Sequence, residues 1–259
     1  VDANQIDAVV LNIAAINPSE KGFLAAYADN IEYPGTSNIN FAPGGATAGL
    51  VVAKPGPNGK VKVRHVGDST DLAVDFVGWF PAASNLTPVT PTRVIDTRQT
   101  SKVTETLDIQ LTGTAGVPSE NVGAVVVNLA VIGPEAPGFA RLYAFGADTP
   151  VTSNLNFDTG EVRANLVVVP VSADGKARLW TRTPANYVVD VFGYFPENGD
   201  LKNITPVRVH DTRDNDKPLP ASSTLDIDVT GNGVPATAEA VLGNLTVVQP
   251  TNWGYLLVH

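Results

Sequence analysis

Residues 122–132 read VGAVVVNLAVI, an almost wholly apolar run that contains one amide side chain, Asn128. Val, Leu and Ile favour β-strands, and a strand that is apolar on both faces is typical of one covered on both sides. Glycine- and proline-containing turn signals separate this run from similar short apolar runs, and no stretch shows sustained helical spacing. The run therefore predicts a buried central strand in an all-β protein.

The chain repeats itself with a period of about 115 residues. The strand with the asparagine occurs three times, as VVLNIA at 9–14, VVVNLA at 125–130 and VLGNL at 241–245. Further pairs keep the same order along the chain: TSNINF at 36–41 with TSNLNF at 152–157, and DFVGWFP at 75–81 with DVFGYFP at 190–196. This period is too long for a solenoid and is typical of a domain.

The repeats predict tandem domains. The motif TPTRVIDTR at 90–98 returns as TPVRVHDTR at 205–213, and we interpret it as the opening of each repeat. We expect a complete unit at 86–198, a unit at 1–82 that lacks its opening strand, and the first half of a repeat at 202–259. About eight short strands per repeat predict antiparallel β-sandwiches of a jelly-roll-like kind, with a β-barrel as the alternative.

Composition excludes several classes of function. Lys and Arg number 17 against 26 Asp and Glu, a net charge of −9, so we expect no nucleic acid partner. No apolar run approaches the roughly 18 residues of a membrane span, so we expect no membrane insertion. There is no cysteine for disulfides or thiolate metal sites. The acid-rich run at 211–216 lacks EF-hand spacing and predicts a solvated turn, so we expect no cofactor and no required metal.

Charged and amide side chains that recur in the repeats are the candidate site residues. We expect Asp75 and Asp190, each in an apolar strand, to be buried and paired with Asn amides or with the arginines of the Asp-Thr-Arg motif that follows, because an unpaired buried carboxylate is costly. The other members of this predicted structural polar network are Arg93, Asp96, Arg98, Asn128, Arg208, Asp211 and Arg213.

Two other interpretations of these residues remain open. One is a polar groove for a glycan or a peptide. The other is a self-formed isopeptide crosslink, to which Asn128 and Asp190 would contribute, but the recurring lysines Lys60 and Lys176 follow turn signals, where we expect them to be solvated. The three histidines do not recur and no known catalytic motif is present, so we expect no enzyme.

The combination of the TPxRVxDTR motif at 205–213, the SNLNF motif at 153–157 and the VVDVFGYF motif at 188–195 resembles a repeat module of secreted and cell-surface proteins, mainly of actinobacteria and related Gram-positive bacteria. The resemblance covers essentially the whole chain. It implies a tandem, cysteine-poor, β-rich surface module that is sometimes attached to exported hydrolases. It brings no established ligand site.

From repetition without catalytic groups we expect a secreted or cell-surface structural protein, the subunit of a surface layer, stalk or filament. Its expected partner is a second copy joined head to tail, or neighbouring domains of a longer chain. The alternative is a module that binds or anchors to cell-wall glycan or another carbohydrate. That function needs exposed aromatic side chains, and Trp79, Trp180, Tyr187 and Trp253 do not form one repeated platform in the sequence.

Overall fold

The computed structural model describes residues 5–215, 217–231 and 233–252, together with residues 254, 256 and 258. Its regular structure consists of β-strands and short 3-10 turns, and no α-helix occurs in these residues. The strands form four antiparallel sheets of three or four strands each, which confirms tandem antiparallel β-sandwiches. None of the described sheets closes into a barrel.

The first repeat contains six strands in two three-stranded sheets. One sheet has the order β4-β1-β6 and the other the order β3-β2-β5. The bounds are β1 Ile6–Ile16, β2 Gly22–Ala28, β3 Ile39–Phe41, β4 Ala46–Ala53, β5 Val61–Val66 and β6 Asp71–Pro81.

The second repeat contains eight strands in two four-stranded sheets. The orders are β12-β9-β14-β7 and β11-β10-β13-β8. Strands β7 and β8 therefore add one strand to each sheet of the arrangement seen in the first repeat. The bounds are β7 Thr87–Asp96, β8 Thr106–Gln110, β9 Val122–Ile132, β10 Gly138–Ala144, β11 Leu155–Phe157, β12 Val162–Pro170, β13 Lys176–Thr181 and β14 Asn186–Pro196.

The core of the second repeat lies between its two sheets. Alternate residues of β9, from Val125 to Val131, meet inward-facing side chains of β13 such as Leu179, and all of these are fully buried. Side chains from the β7–β9 region, including Ile109 and Leu111, close the same core. Burial of each such side chain contributes about 1.5–3 kcal/mol, which is why the apolar pattern determines the strand register.

A second apolar cluster joins the two repeats. Ala8 and Val52 of the first repeat pack with Phe192 and Phe195 of the second, around the connecting residue Leu86. The opposite faces of β9 and β14, which do not face the sandwich core, supply the second repeat's part of this cluster. Both repeats accordingly belong to one compact unit, and this explains why β9 is apolar on both faces.

The tail from Ile204 onward is grouped, with Pro150–Thr152, in a second unit. Its described residues contain a 3-10 turn at Thr212–Asn215 and an isolated bridge between Gly231 and Val234, but no strand of a sheet. The sequence at 253–258 copies the start of β10 and predicts a final strand, but it falls largely on residues outside the described part. No helix in the described residues is long and apolar enough to span a membrane.

Candidate functional site

Three neighbouring strands of the second repeat place three polar residues side by side. Asp190 of β14 lies opposite Asn128 of β9 on one flank and opposite Arg93 of β7 on the other. Directly opposite residues in an antiparallel sheet point to the same face. The repeated asparagine and aspartate of the sequence thus meet on one sheet face, together with the first arginine of the opening motif.

Arg93 and Asp190 form a bidentate ion pair. The Arg93 Nε atom lies 2.8 Å from Asp190 Oδ1, and the Nη2 atom lies 3.1 Å from Oδ2. The Asp190 side chain is 1% exposed and that of Arg93 is 32% exposed. Burial raises the pKa of the Asp190 carboxyl, and the hydrogen bonds from Arg93 oppose this shift. The same hydrogen bonds raise the pKa of Arg93.

The first repeat contributes the backbone of Ser37 to this cluster. The Asn128 Nδ2 atom donates a 2.7 Å hydrogen bond to the carbonyl oxygen of Ser37. The Ser37 backbone also lowers the pKa of the Asp190 carboxyl. The backbone of one residue of the first repeat is therefore bound by Asn128 and lies beside Asp190 of the second repeat.

The loop that carries Ser37 is fixed within its own repeat. Asn38 accepts a 2.7 Å hydrogen bond at Oδ1 from the N–H of Ala26, and Tyr33 donates from its hydroxyl to the Thr36 carbonyl oxygen at 2.9 Å. Burial raises the pKa of Tyr33. The equivalent asparagine, Asn154, accepts in the same way from Leu142 at 2.7 Å. The recurring TSN sequence therefore encodes this loop, and it was the available signal for Ser37, which sequence reasoning did not nominate.

Asp96 and Arg98 form a second ion pair beside the first. The Arg98 Nε atom donates to Asp96 Oδ1 at 2.8 Å, and Asp96 also caps the 3-10 turn Thr97–Gln99. The hydrogen bonds from Arg98 lower the pKa of Asp96. Asp96 and Arg98 do not share a strand face, because β7 ends at Asp96 and Arg98 lies in the turn.

Asp75, the first repeat's counterpart of Asp190, is exposed. It lies opposite Asn12, whose Nδ2 atom approaches Asp75 Oδ2 at 3.4 Å. The prediction of burial is confirmed for Asp190 and wrong for Asp75, because strand β6 has no described neighbour on its outer side. The predicted direction of pairing was also wrong: Asp190 binds Arg93, from the motif that opens its own repeat, and not an arginine of the following motif.

The tail copy of the opening motif keeps its local contacts. Arg213 donates to Asp211 through Nε at 2.9 Å and through Nη2 at 2.6 Å, and Arg208 donates through Nη1 at 3.1 Å. The hydrogen bonds from Arg213 lower the pKa of Asp211. Arg208 thus contacts the acid within its own motif, whereas Arg93 contacts Asp190 as well.

The aromatic side chains are mostly packing elements. Tyr187 is fully buried, its hydroxyl lies 2.7 Å from the Thr181 hydroxyl, and burial raises its pKa to about 12. Trp180 is half-buried beside Phe139 and lies under the Arg141 guanidinium, at 4.7 Å from the ring centroid. Trp79 is exposed, at 42%. Trp253, the remaining candidate, lies outside the described residues.

The other sequence-based interpretations find little support in the geometry. Lys60 is exposed and Lys176 lies above the Phe145 ring at 5.7 Å from its centroid, so neither is in the core with Asn128. Within the described part of the chain, no group of three His, Asp or Glu side chains is placed to hold a metal ion. A groove of about 420 Å³ between the repeats is lined mainly by apolar and small side chains, together with Lys54.

Comparison of the chain with protein-family models, curated proteins and solved structures found no match.

Proposed function

We propose that the chain is a non-catalytic structural protein of the cell exterior, the building block of a surface layer, stalk or filament made from tandem β-sandwiches. One observation carries the proposal: the recurring polar residues of the second repeat bind the backbone of the first repeat. A site for a soluble ligand would direct such donors and acceptors toward an open groove, whereas here Asn128 and Asp190 are occupied by Ser37.

A structural array needs neighbouring repeats in a fixed orientation. The inter-repeat cluster provides apolar burial through Phe192 and Phe195, which is not directional. The Ser37 contact adds direction, because the hydrogen bond that the buried Asn128 amide donates to the Ser37 carbonyl oxygen requires a defined docking geometry. Together they support a rigid pair of repeats as the functional unit.

Calorimetry tests this role. If the repeats form one cooperative body, the wild-type chain unfolds in a single transition with equal calorimetric and van't Hoff enthalpies. Asn128→Ala removes the donor to Ser37 across the interface and should split the transition. Asn40→Ala is the matched control, since Asn40 also contacts Ser37, at 3.3 Å, but from within the same repeat. Two separate transitions in the wild-type chain would contradict the proposal.

The alternative, binding to cell-wall glycan, has one feature in its favour. Trp180 and Phe139 lie side by side, half-buried, with ring centroids 5.5 Å apart. Arg141 covers them, which leaves less ring face for a sugar. Sedimentation with purified peptidoglycan distinguishes the two functions: saturable binding that Trp180→Ala abolishes would favour the glycan module.

A further inference from the structure

The first repeat has two open sheet edges where the second repeat has strands. In the second repeat, β7 pairs with β14 and β8 pairs with β13. In the first repeat, β6 and β5 are the counterparts of β14 and β13, and no described strand pairs with their outer sides. Unpaired edges with apolar side chains are association sites that proteins normally cover.

The open edges expose apolar positions that are core positions in the second repeat. Val189 and Val191 of β14 are fully buried, whereas their counterparts Val74 and Phe76 of β6 are 46% and 63% exposed. Leu72, the counterpart of the buried Tyr187, is also exposed. The first repeat therefore has an incomplete core on the side of these edges.

A glycine of β6 has room beside it for a neighbouring strand. A Cβ atom on Gly193 of β14 would lie 2.9 Å from the Thr87 carbonyl oxygen of β7, so that neighbouring backbone requires glycine there. Gly78 is the counterpart in β6, and a Cβ atom on it would meet nothing within 4 Å. Gly78 therefore keeps the glycine that a closely approaching strand would require, but the described residues place no strand beside it.

The tail carries copies of β7 and β8, the two strands whose counterparts the described residues do not place beside β6 and β5. Residues 205–213 copy the β7 motif, and TLDID at 224–228 copies TLDIQ of β8 at 106–110. Ile227 and Val229 are exposed at 39% and 42%, whereas their counterparts Ile109 and Leu111 are buried in the core of the second repeat. The tail thus has exposed apolar side chains at the positions that fill the core in β8, and no described strand supplies these side chains to the first repeat.

The opening motif already has its local shape in the tail. A 3-10 turn begins at the last threonine of the motif in both copies, at Thr212–Asn215 and at Thr97–Gln99, and Arg213 pairs with Asp211 as Arg98 pairs with Asp96. Such preorganisation lowers the entropic cost of adding this segment to a sheet edge.

The charges match at both edges. Transferring the β14–β7 register to β6 places Arg208 opposite Asp75, in the relation that Arg93 has to Asp190. Transferring the β13–β8 register to β5 places Asp226 opposite Lys62, in the relation that Asp108 has to Arg178. Two opposite-charge pairs in one register select that register against slipped alternatives.

We infer that residues 204–235 of one molecule complete the first repeat of a second copy, adding the β7 strand to β6 and the β8 strand to β5. The inference rests on the proposed structural role and names its partner, which is the chain itself. The segment ends before the copy of β1 at 241–245, so it carries the copies of β7 and β8 alone. Because the donor and the acceptor are different surfaces, the contact is open-ended and propagates head to tail.

Charge reversal combined with light scattering tests the inference. The wild-type chain should exceed its monomer mass of 27.1 kDa, and its mass should increase with concentration. Asp75→Lys blocks the acceptor edge and Arg208→Glu blocks the donor strand, so each variant alone should self-associate at least about tenfold more weakly. Mixed in equal amounts, the two variants should associate again, since each supplies the surface that the other has lost and the two reversed charges also match each other.

Matched controls carry the same charge changes on exposed side chains of the second repeat, whose edges are filled. Asp158→Lys and Arg182→Glu should polymerise as the wild type does. Thermal melts identify any variant that fails to fold, and the mixing result does not depend on comparing variants of different stability. A wild-type chain that stays monomeric at high concentration, or a mixture that stays monomeric, would overturn the inference. Either result leaves the two-repeat body, tested by calorimetry, unaffected.

Discussion

At the scale of single residues, two aspartates with the same sequence context have different environments. Asp190 has a neighbour strand on each side and is buried, whereas Asp75 lies on an edge strand and is exposed. The sequence around the two aspartates is nearly the same. Their environments differ because β7 covers Asp190, and β7 lies far from Asp190 along the chain. The local sequence pattern therefore indicated that both aspartates lie in apolar strands, but not which of the two would be buried by a neighbouring strand.

The pair predicts unequal mutational effects. Asp190→Ala leaves Arg93 without its buried partner, and we expect it to lower the free energy of unfolding by about 3 kcal/mol, the lower end for broken buried pairs because Arg93 remains 32% exposed. Asp75→Ala should change it by no more than about 0.5 kcal/mol in dilute solution, as an ordinary surface substitution does. Urea denaturation of both variants measures the contrast, and equal losses would contradict it.

Asp96 predicts a pH dependence. Its pKa in the folded state is lowered by Arg98, so it stabilises the fold at pH values above its unfolded pKa of about 3.9, and this contribution is lost as the pH falls through the folded pKa. Asp96→Asn keeps a capping side chain but removes the charge. We expect a loss of up to about 1 kcal/mol at pH 7 that shrinks toward zero below pH 4. Urea unfolding at pH 7 and pH 3 gives the two values; an equal loss at both would exclude a charge effect.

At the scale of elements, the turn before β13 meets the end of β8. Gly175 has a φ of +71°, and a Cβ atom there would lie only 1.6 Å from the Thr112 Oγ1 atom. Gly160 has nearly the same φ, +73°, but nothing within 4 Å. The two glycines therefore share one backbone requirement and differ in packing.

Alanine at each glycine separates backbone strain from crowding. Gly160→Ala should cost about 1–2 kcal/mol, the left-handed backbone penalty. Gly175→Ala should cost at least about 1 kcal/mol more, because Thr112 must also move. Thermal unfolding of the two variants gives the difference directly. Equal losses would mean that the approach of Thr112 does not matter.

Strand patterns predicted most of the fold, and the reasons are local. The eight strands expected in the second repeat follow from apolar runs and turn residues, which act within a few positions. The partner of Asp190 was missed because pairing across 97 residues is a property of sheet order, which short-range patterns do not encode. Ser37 was missed for a similar reason: the recurring TSN sequence marks its loop, but the backbone contact with Asn128 spans 91 residues.

At the scale of the whole molecule, the two repeats share one apolar cluster and one polar cluster, so the chain is a continuous body from β1 to β14. The strand that completes the second repeat, β7, follows directly after β6 of the first. Only residues 82–86 separate the two strands. The sequence neighbour of β7 and its structural neighbour are therefore different strands.

This arrangement has a consequence for the timing of folding. The ribosome synthesises about 5–20 residues per second, and Asp190 lies 97 residues after Arg93. Arg93 is therefore exposed roughly 5–20 s before Asp190 is made. During that wait a simple hairpin across residues 82–86 would set Arg93 opposite Asp75, a charge match in the wrong sheet. We expect this hairpin to act as a kinetic trap, so Asp75→Ala should refold faster than the wild type in stopped-flow experiments; an unchanged rate would exclude the trap. Because the sequence of β6 is repeated in β14, the growing chain offers Arg93 two aspartate partners, and Asp75, which is made first, is the wrong one.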